Sequence, residues 1–282
     1  MLKNAISLCC MILFSPAKIN IGLQILEKRE DGFHNIRSVM YPIGLCDILE
    51  IETLTEGSAP FQLSQSGILI GSDSESNLVS RAWRLLSGET DIPPVSIHLH
   101  KQIPVGAGLG GGSSNASIAL KALNHLAPGS LTMERLKLLA AQLGSDCPFF
   151  LHNSPMMMEG RGEILHRTEL SLEGFFLVLL FPGIHVSTAD AYAGVVPEIP
   201  AFPLEKLISK PLDHWKDLIL NDFEESVCAK YPLIRELKKA LYDAGAQYAS
   251  LSGSGSSIYG IFRKQSRLPS EIKKYVIWEG NA

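Results

Sequence analysis

The sequence predicts a folded chain that mixes strands with helices and is organised in about two domains. Its 282 residues exceed the usual domain length of about 150 residues. Hydrophobic residues make up 46% and charged residues 19% of the chain, which is ordinary globular usage and excludes a disordered chain. Apolar residues recur in some segments with the two-residue period of a strand and in others with the period of a helix.

In the first half, residues 11–54 are rich in aliphatic and β-branched side chains and predict several strands joined by turns. The apolar residues of 79–86 have helical spacing, with Asn77 as the N-cap of this helix, and residues 95–99 alternate as in a half-buried strand. After a run of glycines, residues 116–123 return to helical spacing. The order is therefore strand, glycine loop, helix.

In the second half, residues 136–143 predict a helix that Thr132 or Ser130 caps and Gly144 ends. The apolar run 175–181 predicts a buried strand, and residues 234–241 predict a helix that closes at Gly245. A strand pair is expected at 250–262, around a second glycine run. Polar residues at 160–172 place a domain boundary there, dividing the chain into 1–165 and 166–282.

Charge and cysteine content narrow the setting in which the protein works. The formal charge of −4 removes the general attraction to nucleic acid. The five cysteines are odd in number and form no C-x-x-C pair, so we expect a reducing, cytoplasmic location without zinc or disulfides. The apolar stretch 5–14 is too short to span a membrane. A start at Met11 would make residues 1–10 an extension, and retention of Met1 in the native protein would contradict that hypothesis.

The glycine run 106–112 stands directly before a predicted helix and carries Ser113 and Ser114. Residues without Cβ let backbone N–H groups converge on phosphate oxygens, and the helix N-terminus adds unpaired donors. The two serines either cap the helix or donate to phosphate and its magnesium ion. The run is not a P-loop, because Gly112 stands where the lysine would be. A dinucleotide-binding loop and a linker capped by Ser113 remain as alternatives.

Single residues elsewhere have two interpretations each. Lys18, in a strand-like stretch, is either an outward-facing edge residue or a cation for phosphate. Asp146 before Pro148 is either a helix N-cap or a functional acid. The Asp31-Gly32 pair predicts a hairpin turn, and the second glycine run, 252–257, predicts a bulged strand connection.

Taken together, the segments 15–20, 31–34, 104–115 and 143–148 resemble the GHMP kinase superfamily. Within it they are similar to the branch whose members phosphorylate 4-diphosphocytidyl-2-C-methyl-D-erythritol. The resemblance implies an α+β fold of two domains: an N-terminal domain with a left-handed βαβ unit, a C-terminal α+β domain, and an active site in the cleft between them. It would place ATP between the two glycine runs.

The resemblance also implies roles for individual residues. Lys18 and Asp146 correspond to the catalytic pair, and Asn20 to a residue near the transferred phosphate. The cytosine would be held by Phe33, His34 and Tyr192. The residues that correspond to the ATP-binding loop and to a contact with adenosine are Pro104, Val105, Gly106, Ala107, Gly108, Leu109, Gly110, Gly111, Gly112, Ser113, Ser114 and Asn77.

The implied reaction transfers the γ-phosphoryl group of ATP, with Mg²⁺, to the C2 hydroxyl of the diphosphocytidyl substrate. Neither nucleic acid nor membrane is an expected partner, no residue is assigned as a metal ligand, and the protein is a monomer or a homodimer. Phe33 stands where tyrosine is common, and Ser145 and Cys147 replace small apolar residues. The alternatives are a kinase for homoserine or a mevalonate derivative, a nucleotide-binding regulator without catalysis, and an NAD-dependent dehydrogenase.

Overall fold

The computed structural model describes residues 10–68 and 75–282. The predicted N-terminal extension lies, apart from Cys10, outside the described residues. The chain forms two compact units, each built from separate segments. The first unit comprises the described residues up to Ala17 together with those of Leu45–Val105 and Gly110–Asn153. The second unit comprises Lys18–Gly44, Gly106–Leu109 and Ser154–Ala282.

Within the described residues the strands are β1 (Cys10–Lys28), β2 (His34–Thr53), β3 (Phe61–Gly67), β4 (Val95–Lys101), β5 (Met156–Glu159), β6 (Ile164–Arg167), β7 (Phe176–Leu180), β8 (Tyr248–Leu251), β9 (Ile258–Phe262) and β10 (Val276–Asn281). The α-helices are α1 (Leu78–Ser87), α2 (Gly111–Leu126), α3 (Met133–Leu143), α4 (Cys147–His152), α5 (Thr188–Ala193), α6 (Leu204–Ile208), α7 (Glu224–Lys230), α8 (Pro232–Asp243) and α9 (Ser270–Lys273). A short 3₁₀ helix lies at Leu212–His214. None of the described helices has the length and apolar character needed to cross a membrane.

In the first unit, four helices pack with a sheet around one hydrophobic core. Strand β4 pairs antiparallel with residues 48–53 of β2 and parallel with β3. Every second residue of β4 is buried, as its alternating sequence predicts. Buried residues of α1, α2, α3 and α4 complete the core together with β2 and β4. The parallel pairing of β3 with β4 makes β3, α1 and β4 a βαβ unit.

In the second unit, a four-stranded antiparallel sheet has the order β10-β7-β9-β8. Helix α8 contacts β8 and β9 of this sheet. Residues 38–40 of β2 pair antiparallel with β5, and β5 pairs with β6. The mixed strand and helix content agrees with the predicted α+β class.

The structure confirms most predicted elements and changes one of them. The helices at 79–86, 116–123 and 136–143 are confirmed, and Thr132 caps α3 by accepting from Arg135 N–H. Residues 11–54, predicted as several strands, form only two long ones, joined at Arg29–Phe33. Because β1 and β2 give residues to both units, the compact units are not linear segments. The division into 1–165 and 166–282 stays a prediction about domains.

Candidate functional site

The middle of the glycine loop, Gly106–Leu109, belongs to the second unit and is anchored by alternate residues. Ala107 and Leu109 are buried, whereas Gly106 is exposed. Gly106 and Gly108 have φ values of 66° and 76°, in the left-handed region that glycine tolerates. A Cβ on Gly108 would lie 2.0 Å from the carbonyl oxygen of Ser252, so no other residue fits there.

The second glycine run supports this part of the loop directly. The hydroxyl of Ser252 donates to the carbonyl of Gly108 at 2.9 Å, and Ser257 N–H donates to the carbonyl of Ala107 at 3.2 Å. At Ala107 and Gly108 the two runs therefore contact each other directly, because the second run donates a hydroxyl and a backbone N–H to the carbonyls of the loop. The position of ATP between the two runs stays a prediction.

Lys18 is buried in strand β1, and its ammonium points to the glycine loop. The Nζ atom donates to Oδ1 of Asn20 and, at 3.0 Å, to the carbonyl of Gly108. The backbone N–H of Lys18 also donates to the carbonyl of Leu109 at 3.0 Å. The alternative of an outward-facing, solvated edge residue is wrong, because only 5% of Lys18 is exposed.

Asn20 links Lys18 to the sheet of the second unit. Its Nδ2 donates to Ser38 Oγ at 2.9 Å, and its backbone carbonyl accepts from the buried hydroxyl of Tyr259 at 2.8 Å. Its backbone N–H donates to Ser252 Oγ at 3.3 Å. The structure therefore brings Lys18, Asn20 and Gly108 together, as the predicted phosphate site requires.

The other end of the loop, in the first unit, is the start of helix α2. The N-cap is Gly110 with φ of 69°, which offers no side chain to accept from the first turn. The first helical hydrogen bond runs from Ser114 N–H to Gly110 C=O, so the amides of residues 111–113 have no partner within the helix. The alternative that Ser113 caps the helix is wrong, because Ser113 is already in its first turn. Unpaired amides and the helix dipole are the features that favour an anion at a helix N-terminus, so the geometry is compatible with the predicted phosphate site.

Helix α1 begins as the sequence predicts. Asn77 is buried and accepts from Val79 N–H at 2.9 Å, the expected N-cap interaction. A Cβ on Gly112 would lie 3.5 Å from the side chain of Leu78, so the first turns of α1 and α2 are neighbours.

Asp146 is half-buried and directly precedes helix α4. It holds the N-cap position, but its side chain makes no capping hydrogen bond. The segment is tied to α2, because Ser117 Oγ donates to the carbonyl of Cys147 at 2.8 Å. Burial raises the pKa of the Cys147 thiol to about 11, against the hydrogen bonds with Ser113 and Ser117 that lower it. The segment that carries Asp146 therefore lies beside the start of α2, and the Asp146 side chain does not cap α4.

A buried polar network surrounds the end of β4, directly before the glycine loop. Lys101 forms an ion pair with Asp47, and both residues are buried. Asp47 Oδ1 accepts from the N–H groups of Gln102 and Ile103 at 2.7 and 2.8 Å. Burial lowers the pKa of Lys101, and this effect outweighs the attraction of Asp47 that raises it.

The same network reaches helix α2 through Asn115. Asn115 Nδ2 donates to Asp47 Oδ2 at 2.9 Å and to Ser15 Oγ at 3.0 Å. Ser15 in turn donates to the buried Ser114 hydroxyl at 2.7 Å. None of these roles is predicted above, although Lys101 continues the buried alternation of Val95, Ile97 and Leu99, which is a signal for a buried lysine.

The residues predicted to hold cytosine form three ring contacts in the second unit. His34 stacks on Tyr192 with ring centroids 4.6 Å apart, and Tyr192 meets Phe223 edge-on. Burial, with a contribution from Lys28, lowers the pKa of His34, so its imidazole is mostly neutral near pH 7. Phe33 is 56% exposed on the Asp31-Gly32 turn, and the guanidinium of Arg161 lies 5.1 Å from its ring centre.

Comparison with known proteins assigns the family. The sequence profile of the GHMP kinases N-terminal domain matches residues 77–154, and that of the GHMP kinases C-terminal domain matches residues 204–276. A 4-diphosphocytidyl-2-C-methyl-D-erythritol kinase of Bacteroides thetaiotaomicron is 47% identical over 92% of this chain and 94% of its own. The chain is a GHMP kinase of the 4-diphosphocytidyl-2-C-methyl-D-erythritol kinase family. It is therefore a small-molecule kinase, and the alternative of an NAD-dependent dehydrogenase is wrong.

Further relatives of this GHMP kinase agree. The kinase of the same name from Cytophaga hutchinsonii is 44% identical over 89% of this chain and 92% of its own. The crystal structure of a 4-(cytidine 5'-diphospho)-2C-methyl-D-erythritol kinase superposes with a TM-score of 0.78 at 32% identity, covering 89% of this chain and 90% of that one. A mevalonate kinase structure, at 14% identity and a TM-score of 0.64, shares the fold.

Proposed function

We propose that this GHMP kinase transfers the γ-phosphoryl group of ATP to the C2 hydroxyl of 4-diphosphocytidyl-2-C-methyl-D-erythritol, a step in the synthesis of isoprenoid precursors. The products are ADP and the 2-phosphate of the acceptor. The observation that carries the proposal is the glycine-capped start of α2, which offers amide donors to phosphate where most helices carry a side-chain cap. The relatives' names supply the acceptor.

Phosphate binding falls to residues 104–114. The amides at the start of α2 donate to the phosphate oxygens of ATP, and Asn77 lies at the neighbouring turn for contact with adenosine. Positioning and charge stabilisation supply most of the catalysis in phosphoryl transfer. A loop with fixed glycine conformations serves that purpose, because its donors need no rearrangement when the nucleotide binds.

Lys18 and Asp146 act on the transferred group and the attacking hydroxyl. The Lys18 ammonium, fixed by Asn20 and Gly108, offsets negative charge on the phosphoryl oxygens. The Asp146 carboxylate accepts the proton of the C2 hydroxyl. At the same time the hydroxyl oxygen bonds to the γ-phosphorus, and the bond from that phosphorus to the ADP oxygen breaks. Positioned proton transfer of this kind contributes about 10²–10⁴-fold.

Recognition of the cytidine falls to the turn at Phe33 and to the His34–Tyr192 pair. The exposed Phe33 ring offers a face for stacking on cytosine. A neutral His34 can donate or accept a hydrogen bond at the polar edge of the base. Asn20 is proposed to lie near the acceptor and the transferred phosphate.

The kinase family implies a magnesium ion, and the donor chemistry of the first unit is compatible with it. Ser113 and Asp146 carry the hard oxygen donors that Mg²⁺ prefers, whereas the Ser114 hydroxyl is buried against Ser15. Ser113 would hold the ion, with substrate phosphates as its other ligands, because the Asp146 carboxylate is assigned to the hydroxyl proton. When bound, the ion lowers the charge of the phosphate oxygens.

A cytoplasmic location is proposed from the sequence, whose five cysteines are odd in number and form no C-x-x-C pair. We propose that the enzyme works there as a monomer or a homodimer, without nucleic acid or membrane as a partner.

A kinase assay with ATP tests the function. Purified protein is offered the diphosphocytidyl substrate, homoserine and mevalonate in parallel, and formation of ADP and of the phosphorylated acceptor is followed. Turnover that requires the cytidine-bearing acceptor supports the proposal. Turnover with homoserine or mevalonate alone would assign another kinase of the superfamily, and nucleotide binding without transfer would indicate a regulator.

Asp146→Asn tests the role of the acid. We expect kcat to fall by about 10²–10⁴-fold, because the amide cannot accept the hydroxyl proton, while the thermal midpoint and ATP binding stay near those of the wild type. Asp213→Asn, an exposed aspartate in the second unit, is the matched control. Full activity with a lowered midpoint would instead show that Asp146 serves only α4.

A further inference from the structure

His185 is an exposed residue at a fixed point between β7 and α5. The residue before it is held, because the buried Ser256 hydroxyl donates to the carbonyl of Ile184. The residue after it, Val186, is buried. The backbone of His185 is thus held on both sides while its imidazole faces solvent.

The imidazole lies against the glycine loop. A Cβ built on Gly106 would be 2.8 Å from Nδ1 and 2.9 Å from Cε1 of His185, so the ring occupies the space that a side chain at 106 would need. Gly106 is itself exposed and has φ of 66°. The ring and the accessible beginning of the phosphate loop therefore share one surface.

The surroundings leave this imidazole available to an anion. Asp190 interacts with this imidazole, and the pKa of Asp190 is lowered chiefly by its hydrogen bond with Lys230 and least by His185. The Lys230 ammonium lies 3.1 Å from the Asp190 carboxylate and balances its negative charge. A phosphate oxygen at Gly106 would meet an imidazole N–H donor, which carries a positive charge when protonated.

We propose that His185 is a binding residue that donates to a substrate phosphate group at Gly106. The inference rests on the proposed function, because it takes the glycine loop as the phosphate site. Two phosphate-bearing substrates meet in this reaction, ATP and the diphosphate of the acceptor. The chemistry of recognition is the same for both, so the experiment separates them.

The test is calorimetric titration of ADP with Mg²⁺, and of CDP, into the wild type, His185→Gln, His185→Lys and His185→Glu. His214→Glu, at another exposed histidine of the second unit, controls for the change in net charge. We expect His185→Glu to weaken binding of one of the two ligands by about tenfold, since a hydrogen-bond donor is replaced by a carboxylate that repels phosphate. His185→Lys should stay within about twofold of the wild type, and His214→Glu should change neither ligand.

The identity of the weakened ligand names the substrate that His185 contacts. Unchanged binding of both ligands in His185→Glu overturns the proposal. So does an equal loss in His185→Lys and His185→Glu, which would show that the ring only packs on Gly106. If His185→Glu does not fold, the ligand affinities of His185→Lys and His185→Gln decide. The proposal requires His185→Lys, which carries a cation, to bind at least as tightly as His185→Gln, which carries an amide. Binding is measured without turnover, so a wild type that binds both ligands but transfers no phosphate rejects the proposed function separately.

Discussion

Lys18 is a charged side chain in the interior of a strand, a position that is costly unless polar groups surround the charge. Here the Asn20 side chain and the Gly108 carbonyl supply oxygens to the ammonium. Both oxygens are fixed by further contacts, since Asn20 is also bonded to Ser38 and Gly108 to Ser252. These contacts therefore hold the ammonium in one position, which suits the phosphate contact proposed for Lys18.

Phe33→Ala tests the exposed aromatic residue. We expect the KM for the diphosphocytidyl substrate to rise by about tenfold with little change in the KM for ATP, because a base-stacking face is lost. Phe202→Ala, at another phenylalanine more than half exposed in the second unit, is the control. Steady-state kinetics with each substrate varied in turn measure the effect, and an unchanged acceptor KM would remove Phe33 from the cytosine site.

Gly108→Ala tests the contact between the two glycine runs. The new Cβ would lie 2.0 Å from the Ser252 carbonyl in a backbone with φ of 76°, so both steric overlap and the left-handed conformation oppose it. We expect the free energy of unfolding to fall by about 2 kcal/mol more than in Gly174→Ala. Gly174 has φ of 85° with open space around it, so its variant measures the backbone cost alone. Equal losses in urea denaturation would mean that the loop moves away without cost.

At the scale of elements, the start of α2 is fixed by side chains from two other segments, β1 and β2. Asp47 of β2 accepts from the backbone at the end of β4 and from Asn115 of α2, and Ser15 of β1 joins Asn115 to Ser114. The direction of the helix N-terminus thus depends on buried polar contacts as well as on apolar packing. An anion-binding helix end benefits from this, because its amides keep one orientation.

Asp47→Asn tests this network. We expect the free energy of unfolding to drop by about 3–5 kcal/mol, because Lys101 is left as a buried charge without its carboxylate. Glu89→Gln removes the carboxylate of the more exposed Arg135–Glu89 pair and should cost less than about 1 kcal/mol. Urea denaturation monitored by fluorescence measures both, and losses of similar size would show that the buried pair gives no special stability.

At the scale of the whole molecule, the two compact units are assembled from segments that are far apart in the chain. The long strands β1 and β2 each contribute residues to both units, so neither unit is one continuous segment of the sequence. The family profiles, at 77–154 and 204–276, nevertheless lie on either side of the predicted boundary near 165. The family profiles therefore divide the chain by position along the sequence, whereas the compact units divide it by contacts in space.

The local elements of the site could be predicted, because their causes lie within a few residues. The strand before the glycine loop follows from alternation, the start of α1 from Asn77, and the end of α3 from Gly144. The N-cap of α2 could not be predicted in this way, since the sequence is compatible with either Ser113 or a glycine at that position. Only the position of the first helical turn distinguishes them.

The sequence by itself therefore determined the order of strand, loop and helix, the family, and the residues that carry its motifs. The tertiary structure alone decided which distant groups meet: Lys18 with Gly108, Asn20 with Tyr259, and His185 with Gly106. The physical reason is that a turn or a cap is stabilised by neighbours along the chain, whereas a buried polar group is satisfied by whichever segment the packing brings beside it.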